Sequence, residues 1–431
     1  MSPPDDPARG ILGTEVSRSL AHAIAIGFVG AIAAIPMVQA AVELACDGRI
    51  QAFKVFRGVP TRGHLARFEK DLTARSMARR AVQPGLQAGL IGYLGFGTTR
   101  AIPGLDGWLF YRPGIDWVAG PGLLEPSWQT RHAREMAEAG LVRPDPDPLA
   151  AILAYHDDCR RAGVRLVVVP VPDKVSLEAH RLSHRFDATG PYEPPTNEDY
   201  HKFVDELRLS GVDVFDPTPE TIDPRGPDRF LKHDSHWTPE WMGEVTRALA
   251  DHLKSVLPAI PGEARSWRVE PTPASRLGDV AQMLQLGDDQ TLYPPQTVTI
   301  DRVIDAANGR PFRPVEGASI VLLGDSFSNI YSTPDLGWGD SAGLPAQLAR
   351  RLGRDIDVIA RNGADAQAIW AELARRPDPL GGKVAVVWAF ADRKLTRGNW
   401  GAVLAGPGRR PAPDGKIGMD RNRPRMKELT R

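Results

Sequence analysis

Two short segments carry residue types suited to nucleophilic catalysis. The first is Gly324-Asp325-Ser326-Phe327-Ser328. A serine hydroxyl is a weak nucleophile at neutral pH and needs a base to take its proton. The second segment, His233-Asp234-Ser235-His236-Trp237-Thr238, offers such a base and a group to orient it. Asp234 and His236 are two positions apart, so in an extended stretch their side chains share one side. The carboxylate can then accept the Nδ1–H bond, leave Nε2 for the serine and stabilise the imidazolium that forms. Ser326, His236 and Asp234 together supply nucleophile, base and orienter for acyl transfer. Each segment also has a plainer reading. Asp325 and Ser326 suit a helix cap, and the histidines suit the surface near a helix start. A metal bound by His233, Asp234 and His236 is a third reading, but no further ligand is apparent. The two segments in combination are more specific than either alone.

The elements that must position these residues alternate between strand and helix. Val164–Val171, Ser319–Leu323 and Val384–Phe390 are apolar runs of the kind buried on both faces of a sheet. Shorter strands are expected at Val212–Phe215 and Asp355–Ala360, and a turn into a strand at Gly104–Tyr111. Helices are expected at Asp147–Ala162, Asn197–Leu209, Ala342–Leu352 and Ala366–Arg375. Thr238–Leu257 carries the clearest helical start, with Thr238 as N-cap and Pro239 at the first position. The alternation predicts an α/β fold, a mostly parallel sheet with helices on both faces. The serine segment directly follows Ile320–Leu323, so it lies at a strand's carboxyl end, where open α/β sheets bind ligands. Residues 260–315 fit the rhythm poorly and suggest an inserted lobe or a loop over the site.

The chain has 431 residues, 25% of them charged, and a formal net charge of zero. It can bury a sizeable core. No global field favours nucleic acid. Its two cysteines, Cys46 and Cys159, show no metal-binding spacing. Residues 1–19 read as a polar tail and 405–431 as a basic, proline-rich disordered tail. Residues 20–42 are nearly uncharged and long enough to cross a bilayer as a helix, despite Pro36. They fit a retained anchor, or a signal peptide cleaved near Val38-Gln39-Ala40. Residues 50–100 are basic and partly helical. Lys and Arg are commoner after the apolar segment than before it, which by itself would place the body in the cytoplasm.

Asp234-x-His236-Trp237-Thr238 followed by Gly324-Asp325-Ser326-Phe327-Ser328 resembles the alginate O-acetyltransferase family of AlgX/AlgJ type. Gly107-Trp108-Leu109-Phe110-Tyr111, Pro172-Asp173-Lys174 and the stretch from Val387-Trp388 to Arg393 add to the likeness, which spans roughly residues 50–400. The resemblance implies an SGNH-hydrolase-like fold with permuted motif order, because the Asp-x-His element precedes the serine. It implies acetyl transfer to hydroxyls of an exported polysaccharide, without a cofactor or metal. It also implies a membrane-bound O-acyltransferase as donor partner and a periplasmic location at the inner membrane, against the positive-inside count. Asn362 and Gly363, after the strand ending at Ala360, are candidates for the oxyanion hole. Lys174, Arg361 and Arg393 are candidates for binding a carboxylate-bearing sugar. An esterase with the same triad, and a non-catalytic polysaccharide-binding subunit, are the competing readings.

Overall fold

Valine and leucine runs make the centre of the molecule, because strands covered on both faces need apolar side chains at every position. A computed structural model describes residues 17–186 and 190–401. It divides into two compact units, Met1–Gly89 and Leu90–Arg431. The tail expected at 405–431 and most of that at 1–19 lie outside the described residues.

In the second unit the strands are β1 (Ala101–Pro103), β2 (Leu109–Tyr111), β3 (Arg165–Val171), β4 (Asp213–Val214), β5 (Trp267–Arg276), β6 (Gln296–Asp305), β7 (Ile320–Gly324), β8 (Asp357–Ala360) and β9 (Ala385–Ala391). Five of them form one sheet in the order β4-β3-β9-β7-β8. Every pairing in it is parallel, with Val171 opposite Ala391 and Gly324 opposite Ala360. Pro170 sits inside β3 without breaking the ladder. Val168 turns its carbonyl to Phe215, so Pro170, two residues on, faces the same side, where β4 has already ended.

Alternate residues of the sheet feed two cores. Val167, Val169, Leu322 and Val387 pack with the helices Pro239–Val256 and Leu344–Leu352. Leu166, Val168, Leu323 and Trp388 pack with Pro148–Arg161, Tyr200–Leu209 and Ala366–Ala374. This is the expected α/β architecture, a parallel sheet with helices on both faces. Strands β5 and β6 form a separate antiparallel pair of ten residues each. The short helix Asp279–Met283 lies in the segment between them.

In the first unit, Ser17 caps the helix Arg18–Asp47, and Gly48 ends it in the left-handed conformation. Thirty residues give about 45 Å of helix. Its apolar side chains are exposed, and it is long and apolar enough to cross a membrane. A 3-10 turn, Gln51–Arg57, and the helix Arg62–Arg75 follow.

Candidate active site

The strand β7 ends at Gly324, and Asp325 caps the short helix Ser326–Asn329 by accepting from the Phe327 N–H at 2.9 Å. The other oxygen of Asp325 accepts from the Ala391 N–H at 3.0 Å and pairs with Lys394 at 3.1 Å. Burial alone would raise its pKa, but Lys394 and the two N–H groups hold it below the usual carboxylate value. Asp325 therefore fastens the serine turn to the end of β9. Gly324 is required here: a Cβ on it would strike the Ser328 side chain. Ser326 is half-buried, between a buried Asp325 and a buried Phe327.

The Asp234–His236 pair forms in the manner expected of an Asp-x-His segment. Asp234 Oδ1 accepts from His236 Nδ1 at 2.6 Å and from the His236 backbone N–H at 3.1 Å. The other oxygen accepts from the Asp279 N–H at 3.0 Å and from Trp338 Nε1 at 3.1 Å. Burial opposes the charged carboxylate, yet these donors and the His236 charge hold its pKa well below the usual range. Burial likewise opposes the imidazolium. The hydrogen bond and charge of Asp234, joined by the charge of Asp279, outweigh it and raise His236 above the ordinary 6.5.

His236 Nε2 is buried and, among the described residues, has no hydrogen-bond partner. A buried polar atom left unpaired costs free energy, so this one is available to a reacting group. The ring packs on Phe327, the residue after Ser326, at 4.9 Å between centroids. Phe327 also meets Trp237 edge-on at 5.4 Å. The Tyr331 hydroxyl donates to the Trp237 carbonyl at 2.7 Å. These contacts hold the histidine loop against the serine helix. Among the described residues no hydrogen bond joins Ser326 to His236; catalytic bonds of this kind often tighten only with substrate.

Asp279 is a site residue that the sequence did not announce. It accepts from the Ser235 backbone N–H and from Ser235 Oγ, each at 2.7 Å. Burial and the neighbouring Asp234 push its pKa up to about 6. Asp234, His236 and Asp279 lie close enough to share a cation. Their oxygens and Nδ1 are instead spent on one another and on N–H and O–H donors, the pattern of a hydrogen-bonded network. Trp338 was also missed. It stands between Gly337 and Gly339, both at positive φ, and an aromatic flanked by two glycines was the available signal.

The three candidate cations have different surroundings. Lys174 is 2% exposed, and its ammonium donates to the carbonyls of Leu109, Leu231, Lys232 and Asp234 at 2.6 to 3.1 Å. The expectation that it binds sugar is corrected: it clamps the histidine loop from beneath. Arg393 donates to Asp173 at 2.5 Å and lies over the rings of Tyr111 and Phe327. Its guanidinium thus ties Asp173 to the face of Phe327. Arg361 is exposed and paired with Glu372. Asn362 accepts from Asn329 Nδ2 at 3.0 Å, and Gly363 takes a left-handed turn conformation. Both lie on the exposed turn after β8.

A family model described as SGNH hydrolase-like domain, acetyltransferase AlgX, matches residues 101–392. No curated protein matches the chain. Among solved structures, the chain is similar to the O-acetyltransferase domain of Pseudomonas putida AlgJ, at 22% identity and a TM-score of 0.49, covering 69% of this chain and 93% of that one. It is similar to Pseudomonas aeruginosa AlgX at 20% identity and a TM-score of 0.48, covering 71% and 67%. Bacillus cereus PatB1 follows at 9% identity and a TM-score of 0.38, covering 68% and 95%.

Proposed function

Since the chain belongs to the SGNH hydrolase-like acetyltransferase AlgX family and is thus an O-acetyltransferase, we propose that Ser326 carries the acetyl group to hydroxyls of an exported, alginate-like polysaccharide. The observation that carries this reading is the unpaired His236 Nε2, buried beside Phe327 and backed by Asp234.

His236 takes the Ser326 proton as Oγ attacks the acetyl carbonyl of the donor. The carbonyl oxygen becomes an oxyanion, received by the backbone N–H of Ser326. Asn362 and Gly363 are the candidates to complete that hole. Collapse expels the donor's leaving group, which takes the proton from His236 and leaves acetyl-Ser326. A sugar hydroxyl then attacks the acetyl carbonyl and gives its proton to His236; collapse expels Ser326 Oγ, which takes that proton from His236, and the sugar ester departs. Asp234 stays ionised throughout and stabilises the imidazolium at each step. Arg361 and Arg393 are the candidates for a sugar carboxylate, each already beside an acidic side chain.

The helix Arg18–Asp47 is compatible with a signal anchor or a signal peptide. We read it as an anchor holding the second unit on the periplasmic side of the inner membrane. There a membrane-bound O-acyltransferase would supply the acetyl group.

Intact-mass measurement with an acetyl donor tests the reading. The chain should gain one acetyl group on Ser326, and Ser326→Ala should lose both the adduct and transfer to polysaccharide. An unchanged rate in Ser326→Ala would end the proposal. Acetate released with none passed to the polymer would make the enzyme an esterase.

A further inference from the structure

We infer that the first unit carries a pocket for the headgroup of an anionic phospholipid, set beside the end of its apolar helix. The inference rests on the reading of Arg18–Asp47 as a retained anchor.

The helix changes character at its C-terminal end. Gln39 donates to Glu43 at 2.7 Å, and Glu43 accepts from the Gln51 N–H at 2.8 Å. This places the turn Gln51–Arg57 where the apolar stretch stops, the level at which lipid phosphates lie around a spanning helix. A 3-10 helix has three residues per turn, so side chains three apart eclipse. Phe53 and Phe56 form one row, and Lys54 and Arg57 form the next. Phe53 and Phe56 are 62% and 81% exposed, and Val59 beyond them is 78% exposed. Apolar side chains this open beside a membrane helix suit insertion among lipid tails.

The basic row is exposed and borders a pocket. Lys54 and Arg57 line about 340 Å³ together with His64, Arg67, Asp71 and Arg75. Arg67, Asp71 and Arg75 are spaced at i, i+4 and i+8, on one face of the helix Arg62–Arg75. His64 also approaches the Val55 carbonyl at 3.4 Å, where turn and helix meet. Four cations face one carboxylate, and among the described residues none of the four is in an ion pair. An anion beside an apolar row, at the end of a membrane helix, is a phospholipid headgroup. This also gives the basic excess after the apolar segment a use other than setting orientation.

The test uses the full chain in bilayer discs of phosphatidylcholine with a minor share of phosphatidylglycerol, followed by native mass spectrometry of retained lipids. The protein should keep phosphatidylglycerol above its bulk share. Lys54→Gln/Arg57→Gln/Arg67→Gln should lose that enrichment, about fivefold for each cation removed. The charge-keeping swap Lys54→Arg/Arg57→Lys/Arg67→Lys should retain it. Phosphatidylglycerol at bulk share, a neutral variant matching the parent, or binding of inorganic phosphate without lipid preference overturns the pocket. Alkaline carbonate extraction of membranes reports on the anchor separately. Release of the chain removes anchor and pocket together; retention without enrichment removes the pocket alone.

Discussion

At the scale of single residues, the site is organised around where one proton is held. Asp234 spends one oxygen on two donors of His236 and the other on Asp279 and Trp338. The remaining donors keep the carboxylate ionised and fixed in place. Asp234→Asn should therefore lower kcat by on the order of 10⁴, because the amide favours the wrong imidazole tautomer. The pH profile carries the sign. The base must be neutral, so the acid limb of kcat/KM should lie above 6.5, the ordinary imidazole value that Asp234 and Asp279 raise. Asp279→Asn removes one of the two charges that raise it. The limb should move to lower pH while Asp234 still orients the ring, with kcat reduced far less than in Asp234→Asn. A limb that stays put would mean that Asp279 acts on Ser235 alone. Stability runs the other way. The raised His236 stabilises the fold below its unfolded value of 6.5, and that contribution fades as pH climbs through the folded one. The depressed Asp234 contributes above 3.8 and fades as pH falls through its folded value. The proposed base is thus neutral over the range in which the pair gives up stabilisation.

At the scale of elements, three strand ends and one loop meet, and Lys174 joins two of them. It follows β3, and its ammonium gathers carbonyls from β2 and from residues 231–234. Lys174→Met keeps the length of the side chain but leaves four carbonyls, three of them buried, without that donor. The expected cost is about 3 kcal/mol or more, read as a lower denaturation midpoint at unchanged m, together with a fall in kcat. Unfolding at the parent midpoint would show that the clamp is idle. The strands of the parallel sheet were legible because burial on both faces writes itself as an unbroken apolar run. The Thr238 cap was legible because its chemistry is local. Strands β5 and β6 were not. Each is half exposed, and Pro271, Pro273 and interspersed charges hide the period of two. Asp279 was hidden for the same reason, since its place beside Asp234 depends on that hairpin folding back. Lys174 and Arg393 read as candidates for a sugar carboxylate because nothing local to them shows that distant segments close over both.

At the scale of the whole molecule, the chemistry and the apolar helix belong to different compact units. The two cores of the second unit lie on either face of one sheet and are built from residues beyond Leu90. Asp234, His236, Asp279 and Ser326 all belong to that unit. None of their hydrogen bonds described above calls on a residue before it. The exposed apolar side chains of Arg18–Asp47 contribute nothing to that core and would be costly in water. A chain lacking residues 1–76 should therefore leave the membrane fraction and stay soluble. It should keep its kcat on a small acetyl ester, while losing transfer from a donor presented at the membrane. Ester cleavage and sedimentation check the first two points, and transfer to polymer in membrane vesicles checks the third. Loss of ester cleavage by a folded, soluble chain would mean that the first unit completes the site. Retention of full vesicle transfer would mean that the helix serves only to deliver the protein. The separation matters for mechanism. On the proposed reading the acceptor is a polymer too long to be enclosed, and acetyl-Ser326 would form near the surface from which the donor arrives. An anchor raises the local concentration of the site at that surface without altering any group that handles the proton.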